Sequence, residues 1–113
     1  MSDESITTRD NSDVKIVDVN EDLGSYEAAD LRKALEELVS QKVQKIVVNL
    51  SHVQHINSTA VGALVGVAKR LRQRKGDLKV YGLAENIKRT FDLIGASSVL
   101  EIYDSESSAL AGF

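Results

Sequence analysis

Apolar residues follow two rhythms along this chain, one of period two and one of period three to four. The segment VKIVDVN, residues 14–20, sets Val14, Ile16 and Asp18 against Lys15, Val17 and Val19, and its β-branched side chains predict a strand. Ser5 to Arg9 predicts a short edge strand before it, and the polar stretch Asp10 to Asp13 predicts a hairpin turn between them. KIVVNL, residues 45–50, is a nearly continuous apolar run, which is how a central strand buried on both faces reads in a parallel sheet. DLKVYGL, residues 77–83, and VLEIYD, residues 99–104, predict two further strands.

Between the strands the period lengthens. In EDLGSYEAADLRKALEELVSQ, the residues Ala28, Leu31, Leu35, Leu38 and Val39 form one apolar stripe, and Ser25 is the expected N-cap. A second helix is expected from Ser58 to about Gln73, with Val61, Leu64, Ala68 and Leu71 as its core seam and Ala60 and Val67 widening it. Gly62 and Gly66, four apart, give this helix a face of small residues. ENIKRTFDLIGA predicts a short helix with Ile87, Phe91 and Ile94 turned inward and Gly95 ending it. A last helix is expected after Ser105 as its cap. The order β-β-α-β-α-β-α-β, with that final helix, requires crossover connections. It predicts a single α/β domain over residues 1–113, with a mixed, mostly parallel sheet of four to five strands and residues 1–4 as a disordered tail.

Composition narrows the function. A net charge of −3 and an aromatic content of 4% lack the basic excess and stacking platforms of a nucleic-acid binder. The chain has no cysteine, which removes disulfides, thiolate catalysis and sulfur-ligated zinc. The polar, mildly acidic start does not read as a secretory signal, and the longest apolar stretch, Thr59 to Ala68, is about half of what a membrane span needs. A soluble cytoplasmic protein is therefore expected. No P-loop and no G-x-G-x-x-G is present. His52 and His55 lack companions for a metal site, and no G-x-S-x-G elbow accompanies Ser58. The chain is expected not to be an enzyme, and no cofactor or metal is assigned to it. The basic run Lys69, Arg70, Arg72, Arg74 and Lys75 suits a helix C-terminus and its solvated face.

The most informative stretch is Asn57-Ser58-Thr59, where a polar loop becomes an apolar helical pattern. Each of the three side chains can cap a helix by accepting from an unpaired backbone N–H. The same position tolerates a phosphoryl group, because the helix dipole favours negative charge there by about 0.3–1 kcal/mol per exposed charge. Cap and switch are compatible roles, and spacing does not choose between them.

The strand KIVVNL followed by SHVQHINSTAVGALVGVAKRLRQRKGDLKVYGL resembles the signature of STAS domains, the fold of bacterial anti-sigma factor antagonists. Upstream EDLGSYEAADLRKAL and downstream LAENIKRTFDLIGASSVLEIYDSESSAL are similar to the same family, so the resemblance spans Val14 to Leu110. It implies that the unphosphorylated domain binds an anti-sigma factor that is also a serine/threonine kinase, and so frees a sigma factor. Phosphorylation at the start of the second long helix would end that complex, and a phosphatase would restore it. By position Thr59 is the implied acceptor, or Ser58 beside it, and the implied partner-binding residues are Gly24, Ser25, Tyr26, Asn57, Ser58, Thr59, Ala60, Val61 and Gly62. The chain departs from the family pattern at Asn57 and Gly24, where acids are usual, and at Ala60, where glycine is usual. Loss of both acids lowers the local negative charge. The resemblance leaves another class open: a STAS binding module without a switch, serving as a transporter-associated subunit, a stress-sensing scaffold, or a small-ligand sensor using a cleft near Gly24 and Thr59. Direct nucleic-acid contact and membrane insertion are not expected, and the Gly62/Gly66 face leaves a homodimer open.

Overall fold

The computed structural model describes residues 5–113, so the expected tail at residues 1–4 lies outside the described residues. Strands β1 (Ile6–Asn11) and β2 (Val14–Val19) form an antiparallel hairpin. Asp10 pairs with Lys15 and Asn11 with Val14, so the turn is shorter than the four polar residues predict. It closes at Ser12-Asp13, where Ser12 adopts a φ of 54°. Strands β3 (Lys45–Asn49), β4 (Asp77–Tyr81) and β5 (Glu101–Tyr103) then add in parallel, giving a five-stranded sheet in the order β1-β2-β3-β4-β5.

Parallel neighbours need crossovers, and α1 (Ser25–Ser40), α2 (Ser58–Arg72) and α3 (Glu85–Ile94) supply them on one face of the sheet. There Val17, Val19, Ile46, Val48, Leu78 and Val80 pack under the helix stripes. The opposite face carries Val14, Ile16, Val47 and Tyr81 and is covered by α4 (Glu106–Ala111) through Ala109. Burial on both faces is why β3 reads as an unbroken apolar run rather than an alternating one.

Three local expectations are corrected. Gly24, not Ser25, is the N-cap of α1, with no side-chain hydrogen bond; Ser25 and Tyr26 are its first helical residues. Ile94 is 49% exposed, because Gly95, at a φ of 90°, ends α3 and turns the chain away before that position meets the core. After it a 3-10 turn, Ala96–Ser98, precedes β5, which is shorter than the predicted strand. Ile87 and Phe91 are buried as expected, and Ser105 caps α4, accepting from the Ser108 amide at 3.2 Å.

Candidate functional site

The C-terminal end of β3 begins the site. Asn49 is buried, and its Nδ2 donates to Asp18 Oδ1 at 2.8 Å. Its Oδ1 accepts from both the Ser51 amide (2.9 Å) and the Ser51 hydroxyl (2.6 Å). This fixes the start of a loop, residues 50–57, that crosses the end of the sheet toward α1. Val53 is buried beneath it.

The loop is stitched to the segment before α1. Leu23 pairs with Ile56 in a parallel bridge, with the Leu23 amide donating to the His55 carbonyl at 2.9 Å and the Asn57 amide donating to the Leu23 carbonyl at 3.1 Å. Asp22 Oδ1 accepts from the Gln54 amide (2.7 Å) and the His55 amide (3.2 Å), and Asn86 Nδ2 donates to the Gln54 carbonyl at 2.7 Å. These contacts set the starts of α1 and α2 side by side, so that Gly24, which follows Leu23, lies near Asn57.

Asn57 is the N-cap of α2: its Oδ1 accepts from the Ala60 amide at 2.9 Å. The expected choice among three capping side chains is thereby made, and Ser58 is not the cap. Ser58 and Thr59 are both exposed, and α2 has no acidic residue in its first turn. Two hydroxyls therefore project to solvent at the positive end of a helix of 15 residues.

Of the expected partner-binding residues, Gly24, Ser25, Tyr26, Ser58, Thr59 and Gly62 are exposed, with Tyr26 at 85%, and Asn57 is half-buried. Ala60 and Val61 are fully buried within the chain, where they hold the start of α2 to the core. Thr59 also lines a groove of about 390 Å³ between α1 and α2, with Arg32, Gly62 and Gly66 along it and the Arg70–Glu36 ion pair (2.7 Å) at its side. Gly24 is not part of its lining, so the cleft expected near Gly24 and Thr59 extends from Thr59 toward Arg70 instead.

His52 and His55 are exposed, and among the described residues no group of three or more His, Cys, Asp or Glu could hold a metal. No helix among them is long and apolar enough to cross a membrane. In the basic run, Arg70 pairs with Glu36, Arg72 with Asp77 (2.9 Å), and Arg74 donates to the Val39 carbonyl at 3.1 Å.

Sequence reasoning missed the polar network that backs this end of the sheet. Arg9 donates to Asp18 (2.7 Å) and to Glu106 (2.5 Å), and Tyr81 donates to Glu106 at 3.0 Å. The Arg9 hydrogen bond holds both Asp18 and Glu106 below the usual carboxylate range. Burial, with the bond to Glu106, pushes Tyr81 up to about 12. Asp22 was missed as well, although an acid just ahead of Gly24 was a signal that the loop carries its own carboxylate.

The sequence matches the STAS domain family over residues 5–109. It is 35% identical over 103 residues to the anti-sigma-B factor antagonist of Listeria monocytogenes, covering 89% of this chain and 88% of that protein. An anti-sigma factor antagonist from Mycobacterium paratuberculosis superposes with a TM-score of 0.86 at 20% identity, covering 95% of this chain and 91% of the other. The Bacillus cell fate determinant SpoIIAA, in its phosphorylated form, superposes with a TM-score of 0.73 at 14% identity, covering 94% and 96%. With a family match across nearly its whole length and the sheet order and helix placement described above, this chain belongs to the STAS domain family.

Proposed function

We propose that this protein is an anti-sigma factor antagonist that works by partner switching in the cytoplasm. Its unphosphorylated form binds an anti-sigma factor that is also a serine/threonine kinase and so frees a sigma factor. Phosphorylation of Thr59, or of Ser58 beside it, breaks that complex, and a phosphatase reverses the step. The protein is a binding partner and a kinase substrate in this scheme, with ATP held by the kinase.

The observation that carries the reading is the division of labour at the start of α2. Asn57 closes the first turn, so the neighbouring hydroxyls are exposed and free of capping duty. A phosphate there adds about −1.5 to −2 charges where the helix dipole tolerates them, yet those charges would be desolvated against a packed partner. The named function of the Listeria relative supports the same partner class.

A reporter for sigma-dependent transcription in the host cell tests the reading. Deletion of the protein should silence the reporter, Ser58→Ala with Thr59→Ala should hold it on, and Thr59→Glu should behave as the deletion. A reporter indifferent to deletion would overturn the antagonist role.

A further inference from the structure

A second groove, of about 270 Å³, runs beside α2 against the end of α3 and the 3-10 turn. Val65, Ile94 and Val99 wall it, with Val61 and Ala96 buried at its floor. Ile94 is half exposed, and Leu93 beside it in the chain is 83% exposed. Large aliphatic side chains left in water next to an apolar groove mark an interaction surface.

The polar side chains of the lining are Ser58 at one end and Lys69 at the other, and no carboxylate lines it. Ser58 sits at the positive end of the α2 dipole, with no acid in that turn. Lys69 makes no ion pair among the described residues, unlike Arg70 and Arg72. The two ends lie about 16 Å apart at the rise of an α-helix. The groove is thus apolar along its length and electropositive at both ends.

We propose that this groove receives an amphipathic segment of the partner protein, about three helical turns long, with apolar side chains against Val65, Ile94 and Val99 and acidic side chains facing Lys69 and the start of α2. The inference deepens the partner-switching reading and rests on it for the partner's identity. A segment with basic ends would meet like charge twice. A second copy related by a two-fold axis would bring the same electropositive groove against itself. The arrangement also gives phosphorylation a target: charge added at Ser58, which lines the groove, faces the acidic end of the bound segment and repels it.

The test uses two synthetic peptides of about 14 residues with one leucine spine at helical spacing, one ending in glutamates and the other in lysines. Each is titrated into the isotopically labelled protein and read by amide chemical shifts. The acidic peptide should shift Gly62, Val65, Ile94 and Val99, and bind about tenfold more tightly than the basic one. Lys69→Glu should remove most of that preference, and Ile94→Ser should weaken both peptides while leaving the circular dichroism of the protein unchanged. Equal affinities, shifts confined to other residues, or no response to either peptide would overturn the proposal. So would self-association in sedimentation that Ile94→Ser abolishes, since that assigns the groove to a second copy. The titration involves this protein alone, so a preference for the acidic peptide stands or falls separately from any effect on the sigma-dependent reporter.

Discussion

The Asn57 side chain accepts a hydrogen bond from the Ala60 amide at 2.9 Å, and this one contact decides what the next two residues are free to do. Asn57→Ala should lower stability by about 0.5–2 kcal/mol, the usual cost of losing a helix cap. Ser58→Ala should stay within about 0.5 kcal/mol of the parent, as exposed positions do. Urea denaturation midpoints check both, and a larger loss at Ser58 than at Asn57 would reassign the cap.

Gly62 and Gly66 have no structural reason to be glycine within the chain. A Cβ at either position would meet nothing within 4 Å. Because glycine in a helix interior is disfavoured, Gly62→Ala and Gly66→Ala should each stabilise the protein by about 0.5–1 kcal/mol. Gly76→Ala is the contrasting case, since its Cβ would collide with the Gln44 carbonyl, and a loss of about 1–3 kcal/mol is expected. Thermal melts of the three variants decide this. Stabilised variants at Gly62 or Gly66 that bind the partner more weakly would show that the helix face is kept smooth for docking.

Arg9 contributes to the acid limit of stability through two carboxylates. Asp18 and Glu106 are more acidic folded than unfolded, so their contribution is complete above the ordinary carboxylate range and is lost as the pH falls through their lower folded values. The denaturation midpoint should be flat from neutrality to about pH 5 and fall below about pH 4. Arg9→Leu should lower the plateau and flatten that fall.

Tyr81 sets an alkaline limit of the opposite sign. With its folded value raised from 10.0 to about 12, its contribution is intact below pH 10 and is lost as the pH rises through about 12. Tyrosinate absorbance should show a late-ionising component near pH 12 that is lost in Tyr81→Phe.

The strands and helices were legible because burial leaves a period in the sequence, as in the all-buried core of β3 and the Ala28-Leu31-Leu35-Leu38 stripe of α1. Ends were less legible. Asn57, Ser58 and Thr59 are all capping residues, and only the path of the loop, fixed by Leu23, Asp22 and Asn86, selects the first of them. Ile94 fits the stripe of α3 but falls at its last turn, where the left-handed Gly95 removes it from the core. Three residues of 3-10 turn carry no periodicity to read. The Arg9–Glu106 contact joins positions 97 residues apart, and no local pattern announces it. Exposure of Ser58 and Thr59 was implied by the family resemblance, whereas burial of Ala60 and Val61 was already written in the helical spacing that made Val61 part of the core seam.

Intact-mass and phosphopeptide analysis of the protein isolated from its own cells tests the switch most directly. A gain of one phosphate, about 80 Da, mapped to Thr59 or Ser58 and changing with growth conditions is the predicted result. Protein that remains unmodified at both hydroxyls under every condition, while still binding its partner, would contradict the switch and leave the start of α2 as a constitutive docking site.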